Sequence, residues 1–324
     1  MGYGKRRFRL YKKLFGKTVK IMPSLRDVKK HISAVTSIKQ ITYAMKMVAA
    51  ARIKKAQDSI IASRPYAIEM GKLMSDLYGE FTEEDCLGKK AELFFAKRQK
   101  GEKVLLLITA DKGLCGAFNT SVMKAAIKWI RANMDSRVHV LAVGKKGIDL
   151  VRRLKKADVQ LYSELAGIFP KAKYAHAEML YEKLFELFQK PEIQNVTMIY
   201  NTFVSRASQA VIVKELLPLT DYIENGAGKT EEDEKKGNSE FFFEPEKSEI
   251  FDALIPRHIT VQIYRALLES QAAELAARMS AMEAASENAS ELIEGLTLKM
   301  NKTRQSIITT ELTEIVSGAE ALGN

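Results

Sequence analysis

LESQAAELAARMSAMEAASENASELIEGLTLKMNKTRQSI, residues 268–307, decides how the chain folds. Leu268, Ala272, Leu275, Met279, Met282, Ser286, Ala289, Ile293, Leu296, Met300, Thr303 and Ile307 fall at alternating steps of four and three. A 3.5-residue repeat sustained over this length marks a coiled-coil seam, because it keeps one stripe facing a neighbour while the helix turns. Ala272, Ser286 and Ala289 are small enough to let a partner backbone come close. Between Pro256 and Gly318 the only glycine is Gly295. About 60 residues therefore form a helix of roughly 90 Å.

The partner helix lies at the other end of the chain. From Pro23 to Met70 there is no glycine, and Val28, Ile32, Val35, Ile38, Ile41, Met45 and Val48 recur at helical spacing, continued by Ala49, Ile53, Ala56 and Ile60. Ser24 is a suitable N-cap, with Asp27 three residues on to favour the first turn. Pro65 is expected to kink or break this helix, since it lacks an N–H and crowds the preceding turn. Even a stop at Arg64 leaves about 40 residues, or roughly 60 Å, more than a compact domain covers. The economical arrangement pairs the two helices antiparallel, because the chain between them must turn back. Separate packing in a helical bundle is the alternative.

Between the helices, residues 100–220 read as α/β. Strands are expected at Lys103–Thr109, Val138–Val143, Val159–Tyr162, Val196–Phe203 and Ala210–Leu216, with helices near 118–133, 145–155 and 173–189. Such alternation implies a mostly parallel sheet covered by helices, its last two strands forming a hairpin. Residues 224–248 are rich in glycine and charge and read as a loop, with Phe241–Phe243 as an anchor for its far end. The divisions expected are a basic extension over 1–21, an N-terminal helix over 22–80, an α/β region over 81–223, a variable loop over 224–250 and a C-terminal helix over 251–324.

Composition excludes some functions. The 324 residues are 46% hydrophobic and 28% charged, ordinary for a soluble protein. No run approaches the roughly 18 apolar residues of a spanning helix, so membrane association is indirect. The net charge of +11 is concentrated: residues 1–21 carry eight Lys and Arg and no acid, and +11 less 8 leaves +3 for the rest. That basic tail suits RNA, DNA or an anionic lipid surface, or a targeting segment, although Met22 is an equally good start. Cys86 and Cys115 have no ligand-like partners, and His31, His139, His176 and His258 are scattered, so no disulfide framework, metal site or triad is expected.

The motifs point away from catalysis. Gly228-Lys229-Thr230 fails as a phosphate loop: Ile223 stands where a glycine is needed, and Glu231-Glu232-Asp233-Glu234 would repel phosphate. Residues 109–119, TADKGLCGAFN, form a glycine-rich turn between a strand and a helix, a place where phosphate can be cradled. Its glycines lack dinucleotide-binding spacing, and a structural turn is the better reading. Glu311 and Glu314, at i and i+3, read as the polar face of a helix. Lys39, Lys46, Arg52, Lys54 and Lys55 read as a solvated basic face unless an acidic partner surrounds it.

Four segments resemble the γ-subunit family of F-type ATP synthases: SLRDVKKHISAVTSIKQITYAMKMVAAARIKKAQ (24–57), TADKGLCGAFN (109–119), and the pair YRALLESQAAELAARMSAMEAASENASELI (264–293) and NKTRQSIITTELTEIVSGA (301–319). They stand in the family's order and spacing over about 22–322. Thr303, Ser306-Ile307 and Thr310 depart from the family pattern, and the 21-residue extension is foreign to the bacterial members.

The resemblance implies a long antiparallel two-helix coiled coil with a central Rossmann-like α/β domain. It further implies a non-catalytic central stalk, without cofactor or metal, inside three α and three β subunits. The α/β body would meet the ε subunit and the c ring at the cytoplasmic face of the cell inner membrane. By the same resemblance Met45, Lys46, Arg278, Arg304, Gln305, Thr309 and Glu311 face the β subunits, while Tyr200, Asn201, Phe203 and Arg206 face the c ring or ε. A native start at Met22 is also implied, since the family's N-terminus lies within the αβ cavity. The competing classes are a free-standing coiled-coil scaffold, a nucleic-acid binder using the basic tail, and a soluble nucleotide enzyme.

Overall fold

A computed structural model describes residues 24–79, 89–154, 158–206, 208–219 and 247–322. The basic extension, Cys86, Gly228-Lys229-Thr230, Phe241–Phe243 and nearly all of the 224–248 loop lie outside these residues. Among the described residues the order is α1 (Leu25–Gly79), α2 (Lys89–Phe95), β1 (Glu102–Ile108), α3 (Phe118–Ala132), β2 (Val138–Val143), α4 (Lys145–Leu154), β3 (Val159–Leu165), α5 (Tyr174–Phe188), β4 (Ile193–Phe203), β5 (Gln209–Leu217) and α6 (Lys247–Leu322). The strands and helices expected from 103 to 216 are all present, within three residues at either end. The short α2 was not expected.

The chain divides into two compact units, one holding residues up to Thr42 and from Ala285 onward, the other Tyr43–Ala284. In the larger unit a five-stranded sheet has the order β3-β2-β1-β4-β5. β1 runs parallel to β2 and β4, β2 parallel to β3, and β5 returns antiparallel to β4. Burial on both faces explains why β1 is an unbroken apolar run. Leu105 and Leu107 point to the side of Val122, Ala126 and Ile130 on α3. Val104, Leu106 and Ile108 point to the opposite side, where Met74 of α1, Leu184 of α5 and Ile255 of α6 complete the larger core.

Both long helices thus enter this core, and that decides what happens at their prolines. α1 runs through Pro65 without ending there, and α6 begins at Lys247 and runs through Pro256. A proline in a helix interior costs about 3 kcal/mol. Beyond Pro65, Ala67, Met70, Met74 and Leu77 are buried at steps of three, four and three. Burial of a Met or Leu side chain returns roughly 1.5–3 kcal/mol each, so packing outweighs the lost bond. Phe251 and Ile255, both fully buried, have the same role before Pro256. α2 is held likewise: Phe94 stacks on Phe185 and Phe188, and Phe95 on Phe251.

In the smaller unit the start of α1 carries a reciprocal cap. Ser24 Oγ accepts from the Asp27 N–H at 3.2 Å and donates to the Asp27 carboxylate at 2.8 Å, which also accepts from the Ser24 N–H. The buried seam of α1 differs from the expected one. Val28 and Val35 are buried, and so is Thr42, whereas Ile38, Ile41 and Val48 are 53%, 59% and 51% exposed. The reason is geometric: nine residues, from Ile32 to Ile41, make two and a half turns, so consecutive steps of three carry the stripe to the far side. The true seam passes through Lys39 and Thr42, alternating steps of four and three, and the Thr42 hydroxyl is satisfied by the carbonyls of Ile38 and Lys39. On α6 the seam holds, with Ala289 buried and Ile293, Leu296, Met300 and Thr303 partly buried. From Arg304 to Ala319 every side chain is exposed, Ile307 included.

Candidate functional site

At the C-terminal edge of the sheet, β1 leads into the 109–119 turn, which its own side chains build. The Asn119 carboxamide oxygen accepts from the Ala110 N–H at 3.0 Å, and its nitrogen donates to the Lys112 carbonyl and to Cys115 Sγ. The Asp111 carboxylate accepts backbone N–H bonds from Lys145, Gly167 and Phe169, tying three loops together. Thr109 Oγ1 donates to the Val143 carbonyl and accepts from the Gly147 N–H at 2.7 Å. Gly144, at φ +86°, passes so close that an added Cβ would lie 2.1 Å from the Thr109 carbonyl oxygen. Leu114 adopts φ +63°, unusual for a side-chain-bearing residue, and stands 66% exposed at the tip.

Open parallel sheets bind ligands in the crevice beyond the strand ends where the strand order reverses, here between β1 and β4. In this chain α6 fills that place. Ala273 and Ala277 pack against Ala110, Cys115 and Phe118, with Phe203 beside them. Asn201 donates to the Phe118 carbonyl at 3.1 Å and is buried. The glycine-rich turn serves as a seat for a helix. Burial, and next the Glu274 carboxylate, push the Cys115 thiol upward in pKa, which leaves it a poor nucleophile.

Charged groups gather just beyond. Arg278 grips the buried Glu274 carboxylate one turn back, with Nε 3.0 Å from Oε1 and a second guanidinium nitrogen on the same oxygen. Burial holds the Glu274 carboxyl above its ordinary range, against the opposing pull of Arg278 and Arg52. A turn further on, Glu283 pairs with Lys46 at 2.5 Å. Ile53 and Ala56 of α1 pack on Ala272, Leu275 and Ala276 of α6, so the two helices run antiparallel here. Of the expected basic face, Lys46 is ion-paired and Arg52 faces Glu274, rather than both being simply solvated.

The residues expected to face β subunits fall into two sets. Met45, Lys46 and Arg278 stand partly buried in the larger unit; Arg304, Gln305, Thr309 and Glu311 stand exposed on α6 in the smaller one. The four residues expected to face the c ring or ε, Tyr200, Asn201, Phe203 and Arg206, come from β4 and the turn after it. Phe203 packs on Ala273 and on Ala277, the residue before Arg278, and Thr202 donates to Glu269 at 2.7 Å. Tyr200 to Arg206 therefore lie at the same edge of the sheet as Arg278, because β4 runs parallel to β1 and passes its end. Asn201, buried, offers no surface. The other edge, where β1 begins, is where Phe95 meets Phe251 near the start of α6. Glu274, Glu283, Asn119 and Asp111 were not singled out from sequence. Asn119 alone left a signal, as the polar second residue of a helix that follows a glycine-rich turn.

No helix among the described residues is long and apolar enough to cross a membrane. Together these features define a class: an α/β protein whose ligand crevice is closed by one of two long antiparallel helices, and whose polar cluster lies on those helices. Comparison with known proteins narrows the class. A family model described as ATP synthase matches residues 24–322. The ATP synthase gamma chain of Elusimicrobium minutum is 43% identical over 305 residues, covering 93% of this chain and 99% of that one. That of Geotalea uraniireducens is 37% identical over 303 residues, with the same coverage. A chain from the central stalk and c-ring structure of the Tetrahymena thermophila mitochondrial ATP synthase superposes with a TM-score of 0.57 at 28% identity, over 76% of this chain and 99% of that one. One from the Euglena gracilis enzyme reaches 0.61 at 19% identity over 92% and 94%, a likeness of fold. The chain belongs to the ATP synthase gamma-chain family.

Proposed function

We propose that this chain is the central rotary shaft of an F-type ATP synthase, coupling ion flow through a membrane c ring to ATP synthesis and hydrolysis on surrounding α and β subunits. It carries no catalytic residues; the nucleotide chemistry belongs to the β subunits. The observation that carries this reading is the run from Arg304 to Ala319 on α6. Every side chain there is exposed, and Ile307, Ile308, Leu312, Ile315 and Val316 are between 41% and 68% so. A helix with that much uncovered apolar surface needs other polypeptides around it.

Coupling then follows from asymmetry. Exposed apolar residues and charges on the helices differ from side to side, so the subunits around them are contacted differently. Each β conformer is stabilised by its own differential contact with the face it meets, and rotation moves that bias round the ring. Ion flow supplies the work, about 2.3 kcal/mol for each elementary charge crossing 100 mV.

Within this reading Arg304, Gln305, Thr309 and Glu311 form one β-facing set, and Met45, Lys46 and Arg278 the other. Phe203 joins the second set, since it packs on Ala277 next to Arg278, and Tyr200 and Arg206 follow from their place at the same end of β4. The foot towards the ε subunit and c ring is assigned to the opposite edge of the sheet, around the start of α6. The chain is held peripherally at the cytoplasmic face of the cell membrane, through the c ring. A free-standing scaffold is not favoured, since nothing in tethering requires gamma-chain likeness over 93% of the chain. The test is single-molecule rotation: a bead fixed to this subunit in a reconstituted complex turns on ATP addition, and a bead that stays still while ATP is hydrolysed refutes the assignment.

A further inference from the structure

A groove of about 540 Å³ opens on the larger unit where α1, α5 and α6 meet. It begins some two and a half turns of α6 before Glu274, apart from the cluster described above. Its walls are the rings of Tyr66, Tyr174 and Tyr264, one from each helix. Tyr174 and Tyr264 meet edge to face with centroids 5.6 Å apart, and Val261, buried, lies beneath. Arg257 and Arg265 line the same groove, eight residues and about 12 Å apart along α6. Glu178 is the only acid in the lining. Arg265 leans towards Glu269 at 3.8 Å, while Arg257 forms no ion pair among the described residues.

We propose that this groove receives an acidic segment of a partner polypeptide, which inserts one apolar side chain among the tyrosines and sets a carboxylate against Arg257. Tyrosine and arginine are the residue types that most often carry binding energy at protein interfaces, because they offer broad surface and directed polar groups at little conformational cost. Two guanidiniums against one carboxylate favour an anionic visitor, and arginine grips a carboxylate through paired N–H bonds. The span between the arginines fits two turns of helix or a short extended stretch. Tyr66 is 52% exposed and Tyr174 37%, so a polypeptide can reach both rings without rearrangement. Nucleic acid is disfavoured, since the lining holds Glu178 and no lysine. The inference rests on the rotary reading in one respect: the partner is a member of the assembly.

The test uses the complete complex purified with this subunit carrying p-benzoylphenylalanine at Tyr66, and separately at Tyr174. Irradiation is expected to give one dominant adduct at either position, to a partner peptide with Asp or Glu within four residues of the crosslink. R257E is expected to weaken that adduct at least tenfold, and R257K to keep it within twofold. No adduct from either position in a complex that retains α and β subunits overturns the proposal. So does an adduct to lipid, to nucleotide, to a second copy of this chain or to a peptide without acids, or one indifferent to R257E. Failure of the chain to purify with α and β subunits defeats the rotary assignment itself, and the groove proposal with it.

Discussion

Lys46 and Glu283, 237 positions apart in the chain, close an ion pair of 2.5 Å between α1 and α6. Its side chains are 28% and 42% exposed, so water screens the attraction and little stability comes from it. A double-mutant cycle of K46A and E283A in urea unfolding is expected to give a coupling of about 0.5 kcal/mol. If Lys46 faces a β subunit, K46A lowers ATP-driven rotation or synthesis by more than that small loss accounts for. A coupling of several kcal/mol would make the pair a structural fastening instead.

Asn119 fixes the 109–119 turn. Its carboxamide accepts from Ala110 and donates to Cys115 in buried surroundings, and donates to the part-buried Lys112 carbonyl. Asn119→Ala leaves the Ala110 N–H and the Lys112 carbonyl without this partner, at a cost of about 1–3 kcal/mol for a buried group left unsatisfied. Urea unfolding of the variant should show that loss, and amide exchange at Ala110 should quicken. Unchanged protection at Ala110 would mean that α6, seated on the turn, holds it alone.

Glu274 sets a pH dependence. Burial raises its carboxyl above the ordinary value of 4.5 in the folded chain, so the native state holds a proton that the unfolded state releases. Stability from this group is greatest below the unfolded pKa. It falls as pH rises towards the folded pKa and is level above that. Glu274→Gln cannot ionise, yet keeps an acceptor for Arg278. Subtracting its unfolding free energies from those of the natural chain, across a pH series starting below 4.5, is expected to give a curve that falls with pH and then flattens. A rising difference would show that the pull of Arg278 and Arg52 outweighs burial.

How far the sequence carried the structure depends on how many neighbours each segment has. β1 was legible because it is buried on both faces and reads Val104–Ile108 without a polar break. The α6 seam was legible because one stripe alternates fours and threes without a competitor. α1 was not, since Ile38, Ile41 and Val48 form a second apolar stripe, and periodicity gives no rule for choosing between two. Pro65 left open whether the helix ends there for a related reason: a local penalty of about 3 kcal/mol was set against no knowledge of the core that Met70, Met74 and Leu77 enter. The surroundings of Phe203 were not legible because the direction of β4 is a property of the sheet. Once β4 is parallel to β1, its end must lie beside the 109–119 turn and Arg278. Glu274 gave no sign, because an acid among alanines on a helix looks solvated until a sheet covers it.

The last prediction concerns the end of α6. From Arg304 to Ala319 every side chain is exposed, so these residues add little by packing to the fold of the chain. Ending the chain after Thr303 is therefore expected to change its unfolding free energy by no more than about 0.5 kcal/mol, as for surface substitutions generally. The same truncation removes Arg304, Gln305, Thr309 and Glu311, and with them Ile307, Ile308, Leu312, Ile315 and Val316. Those are the groups through which this part of α6 would bias the β conformers. ATP synthesis by the reconstituted complex should fall several-fold while the subunit stays folded, which circular dichroism of the truncated chain checks. Full synthesis without these residues would mean that the bias is applied elsewhere, leaving Met45, Lys46 and Arg278 as the set that matters.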